Sequence, residues 1–291
     1  MNNLFLKGCS TALATPFLED GSVDYDSYAS LLDRQVAAGV DFLTVLATTA
    51  ETPTLSLEEK KKLLAISKEH CGGLPLLVGC GSNSVAATLE NIRQLPGADA
   101  YLVVVPFYNK PTQEGMYLYF KAIAEAAQAP VVIYNVPGRT GANMLASTAL
   151  RLAREVPGII GIKEASGKMD QCREIIDGAP QGFSVLSGDD DMTFELIKAG
   201  GDGVISVASN ALPREVSLMC HLALEGQFAQ ASALNDKLLS LMKGCFIESN
   251  PIPVKAALAE LGLCKAGVRI PLTEATEQTK QTIREILKEW K

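Results

Sequence analysis

The sequence predicts an α/β fold, a closed (β/α)8 barrel followed by a small helical appendix. Short apolar runs recur along the chain, and most of them start 24 to 34 residues after the preceding run. That spacing fits one strand and a returning helix. Amphipathic stretches separate the runs, and several end on a glycine where a helix C-cap would place it. After about Gly226 the runs cease and three helical patterns follow.

Eight runs are expected to be buried strands, because each is short, apolar and bounded by turn residues. In chain order they are CSTALATPF from Cys9, DFLTVLATT from Asp41, PLLVGCGS from Pro75, AYLVVVPFY from Ala100, PVVIYNVP from Pro130, IIGIKEAS from Ile159, FSVLSGDD from Phe183 and DGVISVASN from Asp202. A doubly wound open sheet would give a similar periodicity. The number of strands favours the closed barrel.

Helices are expected between the strands and after them. Ser56-Leu57-Glu58-Glu59 is a capping box, which predicts a helix start just after the Thr48-Thr49 loop. Three further helical patterns begin at Ala229, Pro253 and Thr273. We therefore expect a barrel domain of residues 1–226 and a helical domain of residues 227–291. No Pro-, Ser- or Gly-rich linker separates them, so the helices should pack on the barrel.

The composition excludes several classes of function. A net charge of −7 without a basic stripe argues against nucleic-acid binding. Seven scattered cysteines without a CxxC pair predict neither a zinc cluster nor a disulfide framework, and suggest reduced thiols in the cytoplasm. No signal peptide or membrane-spanning run is apparent. Only two histidines are present, His70 and His221, both in helical contexts, so the usual general base is in short supply.

Polar residues at the strand ends are the candidates for chemistry. In a (β/α)8 barrel the carboxyl-terminal ends of the strands surround one pocket, where catalytic groups lie. The polar ends are Thr48, Thr49 and Glu51 after the second strand, Tyr108 and Asn109 after the fourth, Tyr134, Asn135 and Arg139 after the fifth, Lys163 on the sixth, and Gly188-Asp189-Asp190 after the seventh.

Lys163 ends an apolar strand, where an ammonium group is unexpected. Burial disfavours the charged form and lowers the pKa of a lysine, and the neutral amine is a nucleophile towards ketones. A Schiff-base lysine is therefore one interpretation. The alternatives are an ion pair with Glu164 or Asp189, or a side chain that extends to the rim of the barrel.

The neighbouring candidates each allow two interpretations. Tyr134 could carry a proton during imine formation, or could be a core tyrosine. The planar guanidinium of Arg139 suits a substrate carboxylate, unless it pairs with Asp190 at the rim. Thr48 and Thr49 offer hydroxyls and backbone N–H groups to an anionic oxygen, or are ordinary strand-end threonines.

Two other patterns are weaker. Asp189 and Asp190 are similar to the paired carboxylates of glycosidases, but they are adjacent in sequence and are better interpreted as supporting groups. Gly79 and Gly81 in GCGS are too few for a dinucleotide-binding fingerprint.

Six motifs together resemble the dihydrodipicolinate synthase family. They are ATTAETPTL (Ala47 to Leu55), PFYNKPTQEG (Pro106 to Gly115), YNVPGRTG (Tyr134 to Gly141), GIKEASG (Gly161 to Gly167), SGDD and NPIPVK. The resemblance covers nearly the whole chain. It implies a pyruvate-dependent, class I aldolase-type enzyme that forms 4-hydroxy-tetrahydrodipicolinate from pyruvate and L-aspartate 4-semialdehyde in lysine and diaminopimelate biosynthesis.

The resemblance also implies roles for single residues in the reaction. Lys163 would form the Schiff base, and Tyr134 would transfer protons, linked through Thr48 to Tyr108. The resemblance implies that Tyr108 acts in the site of a neighbouring subunit of a homotetramer, a dimer of dimers.

Further positions would bind substrate. Thr49 would hold the carboxylate of pyruvate and Arg139 that of the semialdehyde, with Gly188 and Ile205 completing the substrate site. No metal or organic cofactor is expected, because the imine itself accepts the electrons.

Two other functions remain open at this point. N-acetylneuraminate lyases and keto-deoxy-sugar-acid aldolases share the barrel, the lysine and the tyrosine, but tend to lack the arginine of GRTG, here Arg139. A catalytically silent barrel that binds a keto acid would be expected to have lost the lysine, the phenol or the arginine.

The sequence departs from the family pattern at a few positions. Ala47 and Ala50 replace the usual glycines, and their methyl groups could restrict the backbone of the carboxylate pocket. Leu57, Lys60 and Ala87 stand where members inhibited by L-lysine often carry polar or acidic groups. We therefore expect weak or no feedback inhibition by L-lysine.

Overall fold

Eight parallel strands form a closed barrel in the computed structural model, which describes residues 6–290. The strands pair in sequence order, and β8 closes the barrel against β1. All eight predicted runs contain a strand, so the predicted (β/α)8, or TIM, barrel is confirmed. The strands are β1 Gly8–Ala12, β2 Phe42–Val45, β3 Leu76–Gly79, β4 Ala100–Val104, β5 Val131–Asn135, β6 Ile159–Glu164, β7 Ser184–Ser187 and β8 Gly203–Ser206.

Helices surround the barrel and follow it. Ser56 and Glu59 form the predicted capping box, with Ser56 Oγ accepting from the Glu59 N–H at 3.2 Å and Glu59 Oε2 accepting from the Ser56 N–H at 2.8 Å. The helices are α1 Tyr25–Ala38, α2 Leu57–His70, α3 Val85–Gln94, α4 Gln113–Ala126, α5 Pro137–Thr140, α6 Ala146–Glu155, α7 Met169–Gly178, α8 Thr193–Lys198, α9 Pro213–Leu224, α10 Phe228–Gly244, α11 Ile252–Glu260 and α12 Glu277–Lys288.

Apolar side chains fill the barrel as well as the layer between sheet and helices. Because both faces of a parallel sheet are covered, the strands are apolar almost throughout. The interior cluster lies inside the sheet and includes Phe42, Leu77, Leu102, Val132, Tyr134, Ile160, Leu186 and Ile205. A polar group in this interior, such as the Tyr134 hydroxyl, is therefore an exception that needs a partner or a function.

The last three helices correspond to the predicted appendix. They begin at Phe228, Ile252 and Glu277, so the third starts later than the expected Thr273. The reason is local, since Thr276 caps α12 by accepting from the Thr279 N–H at 3.3 Å. Helix α10 packs against α9, and α12 packs against both α10 and α11.

Three aspartates stabilise the amino-terminal end of the barrel. Each directly precedes one strand, and its carboxylate accepts a hydrogen bond from a backbone N–H of the neighbouring strand. The pairs are Asp41 with Cys9 at 2.7 Å, Asp99 with Leu76 at 2.8 Å, and Asp202 with Val185 at 2.8 Å. Asp41 also contacts His221 Nε2 at 2.9 Å, and this bond raises the pKa of His221. His70 lies elsewhere on the surface, beside Asp33. Both histidines thus have structural partners.

Candidate active site

Strands β5 and β6 place Tyr134 and Lys163 side by side at the carboxyl-terminal end of the barrel. The two residues are partners in the strand register, so their side chains leave the sheet on the same face. Lys163 Nζ lies 4.5 Å from the centroid of the Tyr134 ring. The amine and the phenol are thus close enough to act on one small molecule.

The Lys163 amine is buried and makes no ion pair with any described residue. Only 4% of the residue is exposed, and burial lowers its pKa to about 8. Asp190 and Asp189 oppose this shift, and Arg139 adds to it. A much larger share of the amine is therefore neutral near neutral pH than in an exposed lysine.

Glu164 is not the partner of Lys163, because successive side chains of a strand point to opposite faces. Its carboxylate accepts from Asn135 Nδ2 at 3.0 Å, from Gln171 Nε2 at 3.1 Å and from the Ser166 N–H at 2.8 Å. These bonds satisfy the buried carboxylate on the other side of the sheet. The ion pair with Glu164 considered from the sequence is wrong.

The absence of a side chain at Gly188 leaves space for the Lys163 side chain. A Cβ atom there would lie 2.6 Å from the Ala165 Cβ, closer than real Cβ atoms come, and 3.0 Å from Lys163 Cε, which is a tight contact. Gly188 is thus required for close approach rather than for an unusual backbone angle. Ile205, on β8, is fully buried in the interior cluster together with Tyr134.

A cavity of about 620 Å³ is lined by Thr48, Tyr134 and Arg139, among others, whereas Lys163 and Gly188 are not part of its lining. Burial raises the pKa of the Tyr134 phenol, while the charge of Arg139 and a hydrogen bond with Thr48 act in the opposite direction. The phenol therefore stays protonated, and the Thr48 hydroxyl is the neighbouring group able to exchange a proton with it.

Thr49 and Arg139 meet at one residue of the C-terminal part of the chain, Asn250. Asn250 Nδ2 donates to Thr49 Oγ1 at 3.0 Å, and Arg139 Nη2 donates to the backbone carbonyl of Asn250 at 3.1 Å. Arg139 thus does not pair with Asp190. That carboxylate accepts instead from the Ser206 hydroxyl and from two backbone N–H groups, those of Val207 and Ala208.

A buried ion pair missed by the sequence analysis holds the loop after β2. Glu51 Oε1 lies 2.5 Å from Lys255 Nζ, and both side chains are essentially unexposed. Glu51 also accepts from the Arg269 N–H at 2.9 Å, and Lys255 donates to the Gly267 carbonyl at 2.8 Å. Glu51 lies in the motif ATTAETPTL and Lys255 in the motif NPIPVK. Their places in these motifs were the indication in the sequence that the two residues matter. The pair fixes the loop that carries Thr48 and Thr49.

Tyr108 exposes its side chain, although its backbone N–H donates at 3.3 Å to the carbonyl of Thr140, the residue after Arg139. The residue is 88% exposed, and its side chain makes no hydrogen bond with a described residue. Its φ of 69° lies in the left-handed region, which a tyrosine adopts only when its surroundings impose it. Asn109 supports this loop through a 2.8 Å hydrogen bond that its Oδ1 accepts from Asn83 Nδ2.

Ala47 and Ala50 do not strain the backbone of the loop after β2. Ala47 has an extended backbone with φ −89°, and Ala50 lies in a short 3₁₀ helix. The left-handed angles of the loop fall on Leu46 and Glu51 instead. The close approach is provided across the sheet by Gly79, where a Cβ atom would lie 2.2 Å from the Leu46 carbonyl oxygen.

Within residues 6–290, no group of three or more His, Cys, Asp or Glu side chains is arranged to hold a metal ion. In the same range no helix has the length and the apolar character needed to cross a membrane.

Comparisons with known proteins agree with this geometry. The chain is 51% identical over 289 residues to a 4-hydroxy-tetrahydrodipicolinate synthase of Phocaeicola vulgatus, covering 98% of this chain and 97% of the relative. The crystal structure of dihydrodipicolinate synthase from Thermotoga maritima matches with a TM-score of 0.95 and 44% identity, over 97% of this chain and 98% of that one.

A third comparison concerns a structure with a bound ligand. The chloride-inhibited dihydrodipicolinate synthase from Acinetobacter baumannii, complexed with pyruvate, matches with a TM-score of 0.93 and 41% identity, over 98% of each chain. The model of the dihydrodipicolinate synthetase family matches residues 5–290. The chain therefore belongs to the dihydrodipicolinate synthetase family.

Proposed function

We propose that this chain condenses pyruvate with L-aspartate 4-semialdehyde to give 4-hydroxy-tetrahydrodipicolinate and water, a step of lysine and diaminopimelate biosynthesis. The observation that carries the proposal is the Lys163 amine, which is buried, has no ion-pair partner within residues 6–290, and has its pKa lowered by burial to about 8. Support comes from the names of curated relatives and from the pyruvate bound to the Acinetobacter baumannii enzyme.

The first step joins Lys163 to pyruvate. The neutral amine attacks the keto carbon, and the resulting carbinolamine loses its hydroxyl as water to leave a protonated imine. A pKa of about 8 leaves roughly a tenth of the amine neutral at pH 7, against about three in ten thousand at an ordinary lysine pKa. Tyr134 supplies the proton for the departing hydroxyl, and Thr48 returns one to the phenol.

The second step forms the carbon–carbon bond. The imine withdraws electrons, so the methyl carbon of pyruvate loses a proton and the enamine attacks the aldehyde carbon of the semialdehyde. The alkoxide takes up a proton, and the amino group of the semialdehyde then displaces Lys163 from the imine carbon. The ring closes, the lysine is free again, and the one water lost is that of imine formation.

Two residues hold the carboxylates of the substrates in this proposal. Thr49 binds the carboxylate of pyruvate and Arg139 that of the semialdehyde, with Gly188 and Ile205 shaping the space around the lysine. The small space between Gly188 and the Lys163 stem supports that placement, as does the presence of Ile205 in the same interior cluster as Tyr134.

Tyr108 acts in a neighbouring subunit of a homotetramer in this proposal. Its exposed ring and left-handed backbone support the idea, because the loop leaves an aromatic side chain with a free phenol open to a partner. A cytoplasmic location is also proposed, supported by seven cysteines that are all free, as a reducing compartment would keep them.

The test is reductive trapping of the imine. Incubation with pyruvate and borohydride should leave one reduced adduct per chain, and mass spectrometry should place it on the peptide with Lys163. The initial trapping rate at low pyruvate should rise with pH up to about 8 and then level, as the amine becomes neutral. Lys255 is an internal control, because it is equally buried but paired with Glu51, and it should stay unmodified.

Activity assays separate this function from the alternatives. Pyruvate consumption should depend on aspartate semialdehyde and should not be replaced by cleavage of N-acetylneuraminate. Trapping with activity only on N-acetylneuraminate would indicate a sugar-acid lyase. An unmodified chain that remains folded after pyruvate and borohydride would contradict the imine mechanism altogether.

A further inference from the structure

The NPIPVK motif, residues 250–255, has no role in the reaction as described so far. Its last residue, Lys255, holds Glu51 in the loop after β2. Its first residue, Asn250, contacts Thr49 and Arg139. The motif therefore lies behind both side chains that are proposed to bind substrate carboxylates.

The hydrogen bond between Asn250 and Thr49 has a direction. The amide nitrogen of Asn250 can only donate, so Thr49 Oγ1 accepts and its single hydroxyl proton is left for another partner. A hydroxyl oriented in this way can donate to an anionic oxygen. A free threonine hydroxyl can donate or accept, and this bond leaves the Thr49 hydroxyl as a donor towards a further partner.

This bond is the only hydrogen bond that the Asn250 side chain makes with described residues. Asn250 is 5% exposed, and its Oδ1 is buried without a partner. A buried amide whose acceptor is unpaired is costly, so packing alone does not explain an asparagine at this position.

The backbone of the same residue orients the second carboxylate-binding side chain. The Asn250 carbonyl accepts from Arg139 Nη2 at 3.1 Å, which fixes one side of the guanidinium. Four of the five N–H donors of an arginine remain for other partners. Since this contact is made by the backbone, it survives replacement of the Asn250 side chain.

We propose that Asn250 is a positioning residue for the two carboxylate sites, with its amide directing the Thr49 hydroxyl proton and its carbonyl orienting Arg139. The inference rests on the proposed function and adds a specificity element from outside the barrel. Side-chain substitutions at Asn250 should therefore affect pyruvate, through Thr49, more than the semialdehyde, whose arginine is held by the backbone.

The test compares Asn250→Ala with Asn250→Asp by the KM for each substrate. Loss of the amide in Asn250→Ala should raise the pyruvate KM about tenfold. Asn250→Asp should raise it further, to about a hundredfold, although aspartate is closer in shape, because a carboxylate accepts the Thr49 proton that the substrate needs. The semialdehyde KM should change less than about threefold in Asn250→Ala.

A double-mutant cycle separates hydrogen-bond direction from simple charge repulsion. In a Thr49→Val background the hydroxyl is gone, so the difference in pyruvate KM between Asn250→Asp and Asn250→Ala should shrink to about threefold or less. An undiminished difference would show that the negative charge acts directly, and would overturn the role through Thr49. A milder effect of Asn250→Asp than of Asn250→Ala would show that only shape matters.

Controls keep the outcome distinct from misfolding and from a failure of the proposed function. Asn235→Ala removes another asparagine with an unpartnered Oδ1, on α10 and not lining the cavity, and should leave both KM values unchanged. If Asn250→Asp does not fold, Asn250→Leu replaces it, and a near wild-type pyruvate KM would overturn the proposal. Borohydride trapping in the unsubstituted chain tests the imine itself.

Discussion

The two ends of the barrel treat their polar side chains differently. At the amino-terminal end Asp41, Asp99 and Asp202 each accept a hydrogen bond from a backbone N–H. At the carboxyl-terminal end Lys163 is buried with no ion pair among the described residues. Satisfied groups stabilise the fold, whereas the unpaired amine is kept at a cost in stability and is available for chemistry.

Lys255 and Lys163 show the same difference between two buried residues of one type. Lys255 is fully buried, but its ammonium contacts Glu51 and the Gly267 carbonyl. Burial lowers the pKa of both lysines, and for Lys255 the Glu51 charge opposes the shift. Partnership, rather than depth, therefore distinguishes a structural lysine from a reactive one.

The largest effect is expected from Lys163→Met. Loss of the nucleophile should lower kcat by at least about four orders of magnitude, because no imine can form. The melting temperature should stay or rise, since an unpaired buried amine is replaced by an apolar side chain of similar length.

Lys255→Met is the matched control for that variant. It leaves Glu51 buried without its counter-charge and should cost about 3–5 kcal/mol in the free energy of unfolding. Equal destabilisation by the two substitutions, measured by denaturant unfolding, would remove the distinction between the lysines.

A smaller effect on activity alone is expected from Arg139→Ala. The KM for the semialdehyde should rise about 10- to 100-fold, because a carboxylate loses a charged partner. Trapping of pyruvate at Lys163 should persist. An unchanged semialdehyde KM in the steady-state assay would remove Arg139 from the carboxylate site.

At the opposite end, Asp202→Ala should affect stability and leave catalysis unchanged. The Val185 N–H loses its acceptor, which should cost about 1–3 kcal/mol in thermal or denaturant unfolding. Asp202→Asn keeps an acceptor oxygen and should lose less. A large fall in kcat at full folding would show that the amino-terminal end also takes part in the chemistry.

The smallest effect is expected for added L-lysine, which should inhibit weakly or not at all. The cavity wall near the expected effector position carries Leu57 and the cation Lys60. The nearby carboxylate of Glu90 is engaged by Arg93 and Gln94, at 2.9 Å and 2.8 Å. The ammonium group of a bound L-lysine would thus be repelled by Lys60, and the Glu90 carboxylate is already engaged by other donors. A submillimolar inhibition constant in the coupled assay would contradict this prediction.

The barrel and its inward-facing candidates were predictable because their signals are local. Each strand is one apolar run, and the residue that ends it lies at the pocket by the geometry of the barrel, as for Lys163 and Tyr134. The contacts of Asn250 and Lys255 were not predictable, since each joins a residue more than 200 positions away in the chain. The sequence showed the NPIPVK motif but not which loop it would contact.

The direct environment of Lys163 shows the same limit. Strand alternation alone excludes a pair with Glu164, whereas the need for Gly188 follows from a contact between two strands. Likewise, the sequence does not show that the left-handed backbone angles of this loop fall on Leu46 and Glu51 and not on Ala47 or Ala50.

The buried contact between Glu51 and Lys255 bears on protein engineering. A truncated chain that ends near residue 226 would keep the buried Glu51 carboxylate but lose Lys255, its counter-charge. The barrel is therefore not expected to be stable when separated from the C-terminal helices. Chimeras that exchange the tail must carry a cation at the equivalent position, or neutralise the acid as glutamine. Recombination between relatives is therefore constrained to inherit these two distant sites together.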